Sequence, residues 1–263
     1  MTTALDDATF ELVELDLLST YAGTRLPFPL RVPSFGRIEH ERADLLAAAG
    51  ASLAERGLAT DRGPTGVAAD LVTALREHRG TVDLVVVGRT TVTGVVALVR
   101  DRGAVVCRQE IGGTPGPVTV ARVSESALPD VFLTRIPEVG AAPVMPITLP
   151  PGVVGDATRL LEKTGGVAAP EQRVRALVRE RGGDEGAVDA LLDLLPSVEG
   201  RGQLGVLARR SGTVERVLEV SWLDGPRGRV RVNTDDNGWL SVNPLRHGEL
   251  VRTLRQAVAA AHG

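Results

Sequence analysis

Two glycine-rich segments have the composition of ligand-binding loops. Residues 112–116, GGTPG, resemble a phosphate-binding loop, but they lack its lysine and the helix that should follow. Residues 233–238, NTDDNG, place oxygen-bearing side chains at alternate positions like a calcium loop, but Pro244 occupies the twelfth position, where a glutamate is required. Asn-Gly is itself a strong hairpin signal. Both segments are therefore predicted to be hairpin turns, and no metal or cofactor site is expected.

The nucleophilic and titratable side chains show no catalytic spacing. The single cysteine, Cys107, follows two valines and is interpreted as a buried structural thiol. No G-x-S-x-G or H-E-x-x-H segment occurs, and no two of the four histidines are spaced i, i+4. No catalytic residue is therefore predicted, and the histidines (His40, His78, His247 and His262) are expected on solvated helix faces. A deep pocket holding several groups of shifted pKa would favour the alternative, an enzyme with an unfamiliar site.

Composition indicates a globular chain that does not bind nucleic acid. Hydrophobic residues make up 43% of the 263 residues, but aromatic residues only 3%, so the core must be built from valine, leucine and alanine. The net charge is -3 and no basic run occurs, which excludes a phosphate-tracking surface. The acidic start of the chain lacks the basic region of a signal peptide, and no apolar stretch is long enough for a membrane span. A cytoplasmic location is therefore expected.

Periodicity predicts helices and then a meander of strands in the first part of the chain. A strand is expected over residues 10–18, followed by helices over 37–56 and 66–79. Gly57 and Leu58 have the positions of a C-terminal helix cap. Glycine-rich turns separate four β-branched runs, which predict antiparallel strands over 82–87, 91–100, 104–110 and 117–123, and then a short helix ending near residue 134.

The same order of elements returns in the second part. A short strand is predicted over residues 144–149, helices over 155–163, 171–181 and 184–195, strands over 203–209, 214–222, 229–233 and 239–242, and a last helix over 245–261. The sequence therefore predicts one α+β domain, residues 1–263, built from two pseudo-symmetric halves, 1–139 and 140–263. These halves are expected to share a central antiparallel sheet flanked by helical bundles.

Three stretches resemble segments of the EspG family of ESX, or type VII, secretion-associated proteins. Residues 26–37, LPFPLRVPSFGR, followed by Glu41 and Arg42, resemble the family's L-P-x-P-L segment that leads through a glycine into a helix. Residues 201–205, RGQLG, resemble its strand start, and residues 221–244 resemble its hairpin, tryptophan, strand and proline. Element order extends the resemblance to about residues 10–260. Leu204 and Val230 stand where the family often has an aromatic residue.

The resemblance implies a non-enzymatic, cytoplasmic chaperone or adaptor of an actinobacterial type VII secretion system. Its expected partners are PE–PPE-like or other helical-hairpin substrates, whose apolar tip it would mask and keep soluble for export. In the family, the sheet and the C-terminal helical bundle supply the contact. The alternative is a non-enzymatic scaffold or regulatory protein-binding module of another assembly, which a pull-down from the native host would distinguish.

Strand alternation in the second meander predicts a core side and a mixed side. The core side is expected to hold Leu204, Val206, Ala208, Leu218, Val220, Trp222, Val230, Val232, Leu240 and Val242. The other side combines apolar residues with arginine and glutamate, a composition typical of non-obligate interfaces. The partner is therefore predicted to contact Leu207, Arg209, Val217, Glu219, Arg229, Arg231 and Trp239. The alternative is that a helix or the other half of the chain covers Trp239.

Overall fold

The structure is a computed structural model that describes residues 7–101, 103–153, 170–194, 197–210 and 212–262. By contact density the chain forms two compact units. The first unit comprises Met1–Pro137, Gly202–Glu219 and Val251–Gly263, and the second comprises Glu138–Arg201 and Val220–Leu250. The repeat with halves 1–139 and 140–263 stays a prediction.

The predicted mixture of helical blocks and strand meanders is confirmed. The first part contains β1 (Asp7–Phe10), α1 (Leu12–Ala22), α2 (Glu39–Glu55), β2 (Ala59–Thr60), β3 (Gly63–Pro64), α3 (Gly66–Glu77), β4 (Gly80–Val87), β5 (Val92–Arg100), β6 (Gly103–Glu110), β7 (Val118–Val123) and α4 (Leu128–Leu133). The second part contains β8 (Ile147–Leu149), α5 (Pro170–Glu180), α6 (Glu185–Leu194), β9 (Gly200–Arg210), β10 (Thr213–Gly225), β11 (Gly228–Thr234), β12 (Leu240–Pro244) and α7 (His247–Ala261). The helix predicted over residues 155–163 lies outside the described residues.

The strand predicted over residues 10–18 is wrong, because most of this segment is helix α1. The strand ends at Phe10, and the backbone N–H of Glu11 donates to Glu14 Oε2 at 2.9 Å, which fixes the first turn of the helix. Helical spacing then buries Leu15 and Leu18. The acidic residues of this segment suggested strand alternation, but Glu14 is itself buried and is paired with Arg56, the residue that follows α2.

Ten strands form one antiparallel sheet in the order β1-β7-β6-β5-β4-β9-β10-β11-β12-β8. Each four-stranded meander, β4 to β7 and β9 to β12, is therefore bordered at its last strand by a short strand from earlier in the chain. Register in the first meander pairs Asp83 with Val96 and Val96 with Cys107. The large antiparallel sheet expected from the sequence is thus present.

The core of the first unit lies between one side of the first meander and helices α1 and α3. It consists of apolar side chains from both layers, including Phe10, Leu15, Leu71, Val96, Leu98, Cys107 and Val120. The second unit has its own core, which includes Ile147, Leu149, Val178, Leu194, Val230 and Val242. Valine and leucine dominate both cores, as the low aromatic content requires.

An ion pair holds the proline-rich segment before α2 against α1. Arg42 donates from both terminal nitrogens to the Asp16 carboxylate, at 2.6 and 3.1 Å, and also to the carbonyl of Phe35 at 2.8 Å. This hydrogen bonding to Asp16 raises the pKa of the Arg42 guanidinium. Gly36 packs against this arginine, so a Cβ there would lie 2.5 Å from Arg42 Cα. The segment that resembles the family motif therefore has a structural role.

No helix among the described residues is long and apolar enough to cross a membrane.

Candidate partner interface

Strands β9 and β10 carry four of the seven predicted contact residues, all in the first unit. Along β9, Leu204, Val206 and Ala208 are buried, Leu207 is half-buried and Arg209 is exposed. On β10, Val217 is half-buried and Glu219 is exposed. The core positions predicted on β9 are therefore confirmed. Leu207 and Val217 remain partly accessible apolar side chains beside charged ones.

The polar groups around these apolar residues are tied to one another. Gln203 donates from Nε2 to Glu219 Oε1 at 2.9 Å, and Arg216 forms an ion pair with the other oxygen of the same carboxylate. Exposed pairs of this kind add little stability, typically less than about 1 kcal/mol. They do hold Glu219 in a defined position on the surface of the sheet.

Asp83 lies on the neighbouring strand β4 and was missed by the sequence analysis. It is 3% exposed, and a Cβ at Gly205 would lie 2.7 Å from its Oδ2 atom. Burial raises the pKa of Asp83 to about 6, while Arg216 lowers it and Glu219 raises it. One sequence signal pointed to it, because Asp83 is the only charged residue in the apolar run 82–87.

In the second unit, the strand register overturns part of the predicted side assignment. Trp222 pairs with Arg231, and Leu223 pairs with Val230. Paired residues share a side of the sheet, so Arg231 lies on the side of Trp222 and Val230 lies on the opposite side. The prediction that Trp222 and Val230 share one side is therefore wrong. The cause is the two-residue turn, which pairs Gly225 with Gly228 and places odd-numbered residues opposite even-numbered ones.

Arg229, predicted as a contact residue, is fully buried, so this prediction is wrong. Its Nε and Nη2 atoms donate to the two oxygens of Asp224 at 2.6 and 2.9 Å. Its guanidinium carbon lies 5.4 Å from the centre of the Trp222 ring. A bidentate carboxylate and an aromatic face together compensate for the burial of this charge. Arg229 is therefore a structural residue that no partner can reach.

Trp239 lies just before β12 and is 36% exposed. The turn that precedes it is closed by Asp235, whose Oδ1 accepts hydrogen bonds from the backbone N–H groups of Asn237 at 3.0 Å and Trp239 at 2.8 Å. The hairpin turn predicted over residues 233–238 is thus formed. Arg231, on β11, is half-buried. In this unit Arg231 and Trp239 remain candidate contact residues.

Among the described residues, the two with the largest pKa shifts do not form a catalytic pair. Cys107 is fully buried, and burial raises the pKa of its thiol to about 12. Asp83 and Cys107 are separated by Val96 in the strand register, so two strand spacings, about 10 Å, lie between their backbones. No group of three or more His, Cys, Asp or Glu side chains that could hold a metal ion occurs in the described ranges.

The fold is similar to that of a secretion chaperone. The Mycobacterium tuberculosis type VII secretion system chaperone EspG5, solved in complex with the PE25-PPE41 dimer, superposes with a TM-score of 0.62 at 15% sequence identity. The similarity covers 97% of this chain and 95% of that chain. The chain therefore has an EspG5-like α+β fold over nearly its whole length.

The family is shown by the sequence as well. The family model described as EspG family matches residues 11–256. The chain belongs to the EspG family. No curated protein sequence matches it.

Proposed function

We propose that this protein is a cytoplasmic chaperone of a type VII secretion system that binds PE–PPE-like, helical-hairpin substrates and keeps them soluble for export. Its membership of the EspG family supports the proposal, as does its fold, shared with a chaperone solved in complex with a PE–PPE dimer. The single observation that carries it for this chain is the accessible pair Leu207 and Val217, set among Arg209, Glu219 and Arg216 on one sheet.

The chemistry of this surface fits a partner with an apolar helical end. Removal of apolar area from water stabilises an interface by about 25 cal/mol per Å² before the costs of association. Leu207 and Val217 supply such area, and exposed Arg209 and Glu219 supply the charged rim that sets orientation and association rate. Trp239 and Arg231 belong to residue types that often dominate binding energy, and they are the candidates in the second unit.

We infer that the protein acts without catalysis. In the part of the chain that the structure describes, the two groups with strongly shifted pKa values, Asp83 and Cys107, are buried and lie two strands apart on the sheet. General acid–base or nucleophilic chemistry needs such groups within hydrogen-bond reach of each other or of a substrate.

Co-expression with PE–PPE-like protein pairs from the native host tests the role of Leu207. Leu207→Asp places a charge among the apolar contacts, and a central contact of this kind costs about 2 kcal/mol or more, so capture of the pair should fall at least about thirtyfold. Val214→Asp is the control, because Val214 is an exposed valine of β10 outside the predicted set. Unchanged capture by a folded Leu207→Asp protein would rule out this surface.

A separate pair of variants tests Trp239. Trp239→Asp should weaken capture of the same protein pair, whereas Met145→Asp, which changes an 82% exposed side chain of the same unit, should leave it unchanged. Equal capture by both variants would remove Trp239 from the interface. Failure of the wild-type protein to bind any PE–PPE-like pair would instead favour a scaffold of another assembly.

A further inference from the structure

A basic cleft lies in the first unit, at the ends of α3, β9 and α7. It has a volume of about 760 Å³. All but one of the described residues that line it are arginine or histidine: Arg76, His78, Arg79, Arg209, Arg210 and His262. Such a concentration is unexpected in a chain whose net charge is -3. Strong local charge of one sign attracts ligands of the opposite sign.

Close backbone contacts fix the walls of this cleft. The backbone N–H of Arg209 donates to the carbonyl of Arg79 at 2.7 Å, which joins the end of β9 to the segment after α3. A Cβ at Gly80 would lie 2.5 Å from the carbonyl oxygens of both Leu207 and Ala261. The last turn of α7 and strand β9 therefore pack directly against Gly80. The arginines are thus carried by a packed framework.

Nearby carboxylates neutralise only part of this charge. Asp101 pairs with Arg79 at 2.5 Å, and Glu77, the acidic residue of the lining, pairs with Arg100 at 3.3 Å. Arg76 donates to the backbone carbonyls of Tyr21 and Ala22, which are neutral.

Two arginines of the cleft are left for an external ligand. No carboxylate within ion-pair distance of Arg209 or Arg210 occurs in the part of the chain that the structure describes. Together with Arg76, the cleft therefore has three guanidinium groups that are not paired with a carboxylate of the described residues. Guanidinium groups bind carboxylates through two parallel hydrogen bonds, which makes carboxylate side chains suitable ligands.

The lining favours a peptide over a nucleotide. The described lining holds no Phe, Tyr or Trp ring on which a base could stack. Its two imidazole rings face oxygen atoms of the protein, with His78 Nδ1 2.9 Å from the Ala74 carbonyl and His262 Nε2 3.6 Å from Glu125 Oε1. Arg209 follows Leu207 by two positions on β9 and therefore lies on the same side of the strand, about 7 Å further along. The cleft thus adjoins the apolar part of the proposed partner surface.

We propose that the cleft binds an acidic segment of the secretion substrate, adjacent to the apolar tip that contacts Leu207 and Val217. This inference rests on the proposed chaperone function and names the chemistry of its partner. Apolar contacts would supply affinity, and carboxylates in the cleft would set the register of the bound segment and speed its association. A substrate without acidic residues beside its tip would be a poor ligand.

The first experiment uses a fluorescently labelled oligoglutamate peptide as the probe. Wild-type protein should bind it saturably and more weakly at high salt, because exposed charge pairs are screened. The double variant Arg209→Glu, Arg210→Glu should weaken binding about tenfold or more, since two attractive pairs become repulsive. The control Arg37→Glu, Arg62→Glu makes the same change of net charge at exposed arginines outside the cleft, and it should bind like wild type. Equal weakening by both double variants would overturn the proposal.

The second experiment measures capture of the PE–PPE-like pair by the same variants at low and high salt. The proposal expects the Arg209→Glu, Arg210→Glu variant to bind more slowly and to lose most of its salt dependence, while Leu207→Asp lowers affinity at every salt concentration. If the pair binds wild type and the cleft variant with identical rates, the acidic-segment proposal is wrong and the chaperone proposal stands. If no such pair binds wild type, the chaperone proposal fails, and with it this inference.

Discussion

Asp83 is a carboxyl group held in an apolar strand of the central sheet. Burial raises its pKa from 3.8 to about 6, so in this pH interval the folded protein keeps a proton that the unfolded chain releases. The unfolded state then binds fewer protons, and the free energy of unfolding falls as pH rises through the interval. The loss in the free energy of unfolding that results from the buried Asp83 carboxylate is complete above pH 6, and it amounts to no more than about 3 kcal/mol.

The variant Asp83→Asn should remove this dependence. Its free energy of unfolding should equal that of wild type at low pH and exceed it well above pH 6, where the wild-type carboxylate is charged and buried. Urea unfolding at several pH values measures the difference. Asp236→Asn, in an exposed turn, is the control and should follow wild type throughout. If the free energy of unfolding of Asp83→Asn and of wild type changed with pH in parallel, burial of this carboxylate would not destabilise the folded protein.

Arg229 shows what residue types alone cannot establish. Arginine is seldom fully buried, and strand alternation placed Arg229 on the mixed side, so an exposed contact was the natural prediction. Its burial depends on Asp224 and Trp222 together, and only the hairpin register brings these side chains to it. The sequence contained all three residues, but the pairing became visible only in the structure.

Loss of the Asp224 carboxylate should destabilise the protein strongly. Asp224→Ala removes the bidentate partner of a fully buried guanidinium, and changes of this kind cost about 3–5 kcal/mol. Glu219→Ala is the matched control on the same strand, because its ion pair is exposed and contributes less than about 1 kcal/mol. Urea denaturation of both variants gives the comparison. Equal losses of stability in the two variants would mean that the Asp224 carboxylate does not stabilise the buried Arg229.

At the scale of elements, the connection between α1 and α2 depends on Gly36. This residue has φ +83°, a conformation that side chains other than glycine rarely adopt. Arg42 also occupies the space where a side chain at position 36 would lie, and the same arginine binds Asp16 of α1. The connection therefore needs glycine for its backbone conformation and also for space.

Two alanine substitutions separate these requirements. Gly23→Ala changes a glycine with φ +68° and open space around it, so it should cost only the left-handed backbone strain, about 1–2 kcal/mol. Gly36→Ala should cost the same strain and in addition about 1–3 kcal/mol for displacing Arg42. Thermal or urea unfolding measures both variants. Similar losses of stability in Gly23→Ala and Gly36→Ala would indicate that Arg42 moves aside without breaking its contacts.

Element types were predictable where periodicity was long and uninterrupted. Helices α2, α3 and α7 and all eight meander strands occur near their predicted positions, because their apolar spacing agrees with the observed cores. Helix α1 was missed, since its buried Glu14 and Asp16 interrupt the helical apolar stripe. Asp16 is paired with Arg42 of α2 and Glu14 with Arg56 just after it, contacts that lie outside any local pattern.

For the whole molecule, the order of elements was more informative than any single site. Two helix-and-meander blocks predicted a large antiparallel sheet, and the sheet has a repeated strand order. The contact surface was predicted less well, because it depends on register and on burial. A shift of one residue moves every side chain of a strand to the other side, and the two-residue turn at Gly225 produced such a shift in the predicted assignment.

The single cysteine makes the stability of the first unit directly measurable. Cys107 is fully buried on β6, which pairs with β5 on one side and β7 on the other, and burial raises the pKa of its thiol to about 12. Alkylation requires an accessible thiolate, so it should occur only from molecules in which this part of the sheet has opened.

The rate of alkylation in native buffer should therefore be lower than in denaturant by a factor of about 10³ or more, set by the fraction of opened molecules. Mass spectrometry of iodoacetamide-treated protein measures it, with Cys107→Ser as the unlabelled control. A bound substrate that stabilises the folded state should slow the reaction further, by the ratio of substrate concentration to its dissociation constant. A contrary result would be rapid labelling whose rate does not change in low urea or with bound substrate. That result would mean that β6 opens locally and that the sheet unfolds less cooperatively than its strand register indicates.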